Sequence, residues 1–437
     1  MQRSLSTTKG HLFFHSDTNK ENSVFVFILF WVAILFQLTI LKHIWPLKNI
    51  ATFFNGLALA FTIICFIYCI VFFKYKKNVW YFYIIPGLFV ALGIFLNISL
   101  NFISNPKTIH HVGNVFPWIV YLIIPYLLKK KYNSLKLWTY FYYFMLLVIL
   151  FGIFDYLNTF LFGNALRMIS TEMYGDYLAG WFSVFYITQY TEPQPRLCGC
   201  FAEPGTLAMF IIPAICYAYF YKKYLGLFVL IIGLYLTDSL GGMIGFAVLL
   251  SLLLFVSVKT QQKNIIISIF LLIFVSSIVL LFSMTYFASA YENKNQSRID
   301  RTYDFEQTIE NIPEMLISNP IGFELSEGTI STIENVHNYG SNFSPGVAIK
   351  MGGLSSFFGY MVVLLISVII AVLSIIKKNL YIEEKIVFCS ILVLFTFIVQ
   401  RSTVWDSPIF AFLFAPSIIR FLEKRKNVRT LQAGMGN

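Results

Sequence analysis

The sequence predicts an all-α integral membrane protein, and three observations carry that prediction. Of 437 residues, 58% are hydrophobic and only 12% are charged, a balance that soluble domains do not show. Apolar runs such as "NIIISIFLLIFVSSIVLLFSM" are continuous, which fits helices and excludes the alternating segments of about ten residues that build a membrane barrel. The basic residues fall in twos and threes between those runs, as loops between spans require.

A helix needs about 20 apolar residues to cross the hydrocarbon core. About twelve candidate spans follow, at 24–41, 50–73, 79–103, 112–128, 137–160, 204–221, 224–238, 241–258, 264–289, 352–376, 385–400 and 405–421. The first follows a polar stretch and lacks a small-residue cleavage site, so it reads as a retained anchor. The chain is then one polytopic domain, 1–437, with cytoplasmic tails at 1–23 and 422–437.

Charge sets the orientation. With both termini cytoplasmic, the inside segments, among them "KYKKN", "KKKYNSLK", "YKKY" and "EKRKNVR", hold 21 of the 32 Lys and Arg. The positive-inside rule is thereby met loop by loop. The net charge of +11 reports that orientation; a nucleic-acid partner would need the cations gathered on one soluble face.

Two long segments remain outside, 161–203 and 290–351, and 15 of the 21 Asp and Glu lie on that side. Loops longer than about 12–15 residues are usually functional or disordered, and these are too rich in aromatic and aliphatic residues for disorder. They are expected to carry short helices, and function is expected on this external face.

The first large loop ends in "QPRLCGCFAEPGTLAMFIIP". Pro193 and Pro195 bar a helix just before it, Gly199 permits a tight turn, and Pro204 suits the first turn of the next span. Glu203 then sits at the N-cap, where the helix dipole favours a carboxylate. Arg196, seven residues upstream, either snorkels, pairs with Glu203, or serves chemistry. Cys198 and Cys200 are expected as free thiols, because a bridge across one residue is strained.

The second large loop opens with "NKNQSRIDRTYDFEQTIENIPEMLISNPIGFE". Ser297 is placed to cap a helix running to about Asn311 and stopped by Pro313, with Ile299, Tyr303, Ile309 and Ile312 as its apolar side. Arg298 and Arg301 then share a face, either as a fork suited to phosphate or as surface partners of Asp300, Asp304 and Glu306. "SNPIGFE" reads as a turn, and "ENVHNYGSNFSPG" as a polar loop carrying His337, Asn338 and Tyr339.

Other features are weaker. His110 and His111 are adjacent but lack further ligands at helical spacing, which makes a poor metal site. Gly241 and Gly245 read as close helix packing. Asp155 and Asp238 lie in or near spans, where an ionisable residue is a functional candidate. Arg401 occupies the last external turn, with Asp406 as its nearest acidic neighbour. No Walker motif or metalloprotease helix is present in the sequence, which disfavours an ATP-driven or nucleotide-sugar enzyme.

Together, "PRLCGCFAEPGTLAMF", the order "SNPIGFE" then "HNYG" then a glycine-rich approach to a span, and the two large external loops resemble the bacterial O-antigen polymerase (Wzy-type) family. More distantly they resemble the O-antigen ligases. The sequence departs from relatives at "TDSLGG", where Leu240 stands in place of a frequent basic residue. The resemblance implies a multi-pass protein of the bacterial inner membrane, polymerising a surface polysaccharide at its periplasmic face. The growing glycan would leave undecaprenyl pyrophosphate and join a new lipid-linked repeat unit, with no cofactor and no metal, and with a chain-length regulator as a possible partner. The roles then implied are catalytic for Arg196, Glu203 and His337, and pyrophosphate or substrate binding for Arg298, Arg301, Asn338, Tyr339 and Arg401. Ligation to a lipid A core is the alternative within this class, and a flippase for the same lipid-linked units the alternative outside it.

Overall fold

The computed structural model describes residues 20–37, 56, 60, 63–64, 67, 81–103, 114–128, 134–162, 168–171, 175–179, 187–189, 196–201, 203–261, 295–323, 344–376, 380–397, 407, 409–414 and 418. The architecture is mostly helical. In order come α1 (Lys20–Gln37), α2 (Tyr81–Asn101), α3 (Phe116–Leu128), α4 (Ser134–Phe162), strands β1 (Met168–Thr171), β2 (Gly175–Ala179), β3 (Ile187–Gln189) and β4 (Arg196–Gly199), then α5 (Pro204–Phe220), α6 (Tyr224–Leu236), α7 (Leu240–Gln261), α8 (Asn295–Ser318), α9 (Ser344–Ile376) and α10 (Ile382–Leu394). Among the described residues, three helical stretches are long and apolar enough to cross a membrane: Tyr83–Asn101, Leu135–Asn158 and Pro345–Ser374. The expected span at 264–289 lies outside the described residues.

Helix α5 is the centre of one half. Most of its length, Leu207 through Ala218 included, is buried, which marks a helix apolar on all sides and enclosed by others. Helices α4, α6, α7 and α10 pack around it. Gly242 and Gly245 bring α7 in close: a Cβ at Gly242 would stand 2.8 Å from Ala208 Cβ, and one at Gly245 2.8 Å from Ile212 Cδ1. Phe201 stacks on Phe210, Phe210 on Phe410 and Phe410 on Phe414, so an aromatic column runs from the N-terminal end of α5 into the helical segment 409–414.

The other half is built on the α2–α9 pair, with α3 and α8 against it. Small residues let the two backbones approach, as in membrane helix pairs generally. A Cβ on Gly93 would lie 2.5 Å from Gly352 O, and one on Gly359 2.8 Å from Pro86 O. Ser355 Oγ donates to Phe89 O at 2.6 Å and Ser356 Oγ to Val90 O at 3.2 Å. Helix α9 is kinked at Gly352 and Gly353, the latter at φ +58°. The break falls where the hydrophobic run at 352–376 begins.

Two expectations for the external loops are corrected. Among its described residues the first loop carries an antiparallel four-stranded meander, in the order β1-β2-β3-β4, where short helices were expected. Its strands are three to five residues long, too short to nucleate a helix. β1 and β3 carry β-branched Ile and Thr, and Pro193 and Pro195 stand between β3 and β4 in the sequence. In the second loop, α8 runs on through Pro313 instead of stopping there. Pro313 and Ile309, whose carbonyl the proline leaves without a donor, are both exposed, so water can satisfy that carbonyl. Tyr303 and Ile309 are exposed, while Thr308 and Met315 are buried. The buried face is therefore the one that meets α9, where a Cβ at Gly346 would lie 2.6 Å from Thr308 Cγ2.

Candidate functional site

The threshold between the first long loop and α5 is built on β4. This strand descends along α4: Leu197 fills the space over Gly152, where a Cβ would come within 2.5 Å of its Cδ1, and Gly199 lies against Val148. Gly199 adopts φ +57°, a left-handed conformation that glycine takes without penalty. The turn it makes closes with Phe201 N–H donating to Cys198 O at 3.1 Å. Cys198 and Cys200 are both buried free thiols, and burial pushes the Cys200 thiol up.

Arg196 opens this strand half-buried and reaches across to the turn between α6 and α7. Its Nε donates to Thr237 O at 3.2 Å and its Nη2 to Asp238 O at 2.9 Å. The Asp238 carboxylate stands 3.9 Å from Nε. Asp238 itself holds φ +42°, uncommon for a residue other than glycine and best tolerated by Asp and Asn. The turn is tied on both sides: Thr237 Oγ1 donates to Leu234 O at 2.7 Å, and Ser239 Oγ accepts from Gly242 N–H at 3.2 Å, capping α7. Arg196 thus clamps "TDS" by its backbone, a partner 42 residues away.

Glu203 is the N-cap of α5, at φ −140° and ψ 146° with Pro204 following. Its carbonyl accepts from Thr206 and Leu207 N–H, both at 3.1 Å. Its side chain makes no capping hydrogen bond, so the carboxylate is half-buried at the positive end of the helix without sealing it. Arg196 and Glu203 stand on either side of one turn. On the facing helix, Asp155 is completely buried, near the end of α4 that lies alongside the start of β4.

In the second loop, Arg298 and Arg301 lie in the first turns of α8. Beyond α8, Gly322 N–H donates to Asn319 O at 3.0 Å, so the expected turn at "NPIG" is present. The structure adds Asn97, which the sequence reading passed over. Buried in α2, its Nδ2 donates to Met351 O at 2.9 Å, Phe323 O at 3.0 Å and Lys350 O at 3.3 Å. The signal in the sequence was an Asn pair one helical turn apart, Asn97 and Asn101, inside an apolar run. His337, Asn338, Tyr339 and Arg401 lie outside the described residues.

Residues 225–342 match the family model described as Wzy_C: O-Antigen ligase. No curated protein and no solved structure matches the chain. The matched stretch takes in α6, the clamped turn, α7, α8, the turn at 319–322 and the position of His337. The family resemblance drawn from the motifs is therefore supported: residues 225–342 are similar to the domain described as O-antigen ligase.

Proposed function

We propose that the protein is a polysaccharide polymerase that elongates a lipid-linked glycan at the external face of the bacterial inner membrane. The family match over 225–342 carries this reading, because that family implies ligase- or polymerase-type transfer from lipid-linked donors. In the reaction, the bond from the anomeric carbon of the growing chain to undecaprenyl pyrophosphate breaks. A bond from that carbon to the terminal sugar hydroxyl of a new repeat unit forms, and the hydroxyl proton passes to a base. One direct displacement inverts the anomeric centre and draws its energy from the pyrophosphate ester, without nucleotide or metal.

Charge grows on the pyrophosphate as it leaves, so fixed guanidinium groups stabilise the transition state more than the ground state. Arg298 and Arg301 on α8, and Arg401, are assigned to that task, with Asn338 and Tyr339 orienting sugar. Arg196, with two of its N–H groups holding the 237–238 turn, positions the domain's first turn against the first loop. Glu203, at a helix N-terminus where its charged form is favoured, and His337 are the candidate bases.

Purified protein supplied with synthetic undecaprenyl-pyrophosphate repeat units should yield a ladder of longer glycans. Unchanged substrate under conditions that support a known polymerase would overturn the assignment. The ligase reading is favoured by the family model's own description, and a null strain separates the two. Loss of a polymerase leaves lipopolysaccharide capped with one repeat unit; loss of a ligase leaves glycan accumulating on the carrier. A flippase null would instead trap single units on the cytoplasmic leaflet.

A further inference from the structure

We propose that Asn97 is a positioning residue for this transfer: its buried amide clasps the base of the second external loop to the break in α9. The inference rests on the transfer reading above, but the clasp itself is a matter of geometry. Four carbonyls of irregular backbone meet at this point. Asn97 Nδ2 serves three of them, Phe323 O, Lys350 O and Met351 O; the fourth, Pro320 O, accepts from Leu354 N–H at 2.9 Å. Phe323 N–H returns a bond to Lys350 O at 3.0 Å. The chain leaving α8 is thereby fastened to the residues of α9 just before its break at Gly352 and Gly353, and both are fastened to α2.

A side-chain amide has two N–H bonds, so three acceptors require one to be shared. Irregular backbone at the edge of a membrane persists only where such partners satisfy it. Asn97 is fully buried, and Phe323, Lys350 and Met351 are half-buried around it. The glycines around it admit no side chain. A Cβ on Gly322, which sits at φ +108°, would come within 2.5 Å of Asn97 Nδ2, and Gly353 at φ +58° presses on Pro320. The base of the loop therefore has one arrangement, set from α2, which lies outside the family-matched stretch.

Displacement of reacting groups by about 1 Å can cost about 100-fold in rate, so an anchor that fixes the loop's base should act on turnover. Asn97→Leu keeps the volume and removes both donors. Gly322→Ala attacks the same clasp from the opposite side. Ser356→Ala is the control, because it deletes another α2–α9 hydrogen bond without touching the strap. Each variant is to be purified and followed by thermal unfolding, by amide hydrogen exchange at Phe323 and Leu354, and by initial rates against lipid-linked repeat unit.

Asn97→Leu and Gly322→Ala should each lose exchange protection at Phe323 and Leu354 and lower kcat about 10- to 100-fold, with KM changed less than about two-fold. The double variant should be no worse than either single one. Ser356→Ala should keep protection and kcat even if it unfolds at a lower temperature. Lost protection with wild-type kcat would overturn the positioning role, and retained protection in Asn97→Leu would overturn the clasp. Loss of kcat in Ser356→Ala equal to that in Asn97→Leu would reduce the effect to helix packing. A wild-type protein without transferase activity would refute the proposed function instead, leaving the exchange result to judge the clasp.

Discussion

Arg196 spends two N–H groups on the backbone of residues 237 and 238, so its shape matters as much as its charge. Lysine carries the charge but not the fork. Arg196→Lys should therefore lower stability by about 1–2 kcal/mol, the scale of hydrogen bonds to a charged donor at a partly exposed site, read as a fall in the thermal midpoint in detergent. Asp238 makes the opposite prediction. Its carboxylate is half-exposed and 3.9 Å from Nε, a pair worth about 0–1 kcal/mol, while its left-handed backbone costs about 1–2 kcal/mol relative to glycine. Asp238→Gly should leave the midpoint within a few degrees and retain transfer, whereas Asp238→Val should lower it; loss of transfer at an unchanged midpoint in Asp238→Gly would give the carboxylate a chemical role. The sequence made both residues conspicuous but could not pair them. A local reading offered Glu203, seven residues off, because nothing in the chain between records a contact 42 residues away.

At the scale of elements, the apolar helices were legible because lipid imposes one rule on every span: a long apolar run with its backbone bonds closed internally. The run at 204–221 became α5 (Pro204–Phe220) and that at 224–238 became α6 (Tyr224–Leu236), helical as expected but shorter than the about 20 residues a full span needs. The external elements obey no such rule. The meander depends on pairing between segments in the first loop, which no local pattern records, and α8 passes Pro313 because its exposed face tolerates a freed carbonyl, so a local breaker residue misled only in the second. The α2–α9 contact offers the sharpest test at this scale. Gly93→Ala would drive a methyl to within 2.5 Å of Gly352 O and 2.6 Å of Ser356 Oγ. Backbone cannot yield as a side chain can, and overpacking of this kind costs about 1–3 kcal/mol. Gly56, with nothing within 4 Å of its Cβ position, is the matched control: Gly56→Ala should be neutral or slightly stabilising. Equal midpoints for the two variants would show that the close approach of α2 and α9 is not present in the membrane.

For the whole molecule, the direction of each span decides which side can hold the chemistry. Apolar rows are exposed on the three membrane-capable helices: Leu88, Leu92 and Phe95 on α2, Leu147, Leu150 and Phe154 on α4, and Leu365, Val368 and Val372 on α9, the kind of surface that a bilayer or a protein partner covers. Such rows say nothing of which end points out; charge carries that expectation. The α5–α6 turn carries Lys222 and Lys223, both exposed; the positive-inside rule predicts it inside and the clamped 237–238 turn and the N-terminus of α5 outside, with α8 joining them there through the span expected at 264–289. Lys222→Cys and Glu306→Cys, each at an exposed site, read this directly. The native thiols at 198, 200, 216 and 389 are buried, so they stay silent, and Cys65 and Cys69 are replaced by serine. In intact cells a membrane-impermeant maleimide should label Glu306→Cys at once and Lys222→Cys only after permeabilisation. The reverse pattern would place α8, with Arg298 and Arg301, in the cytoplasm, away from any glycan exported on its lipid carrier, and the transfer reading would fall with it.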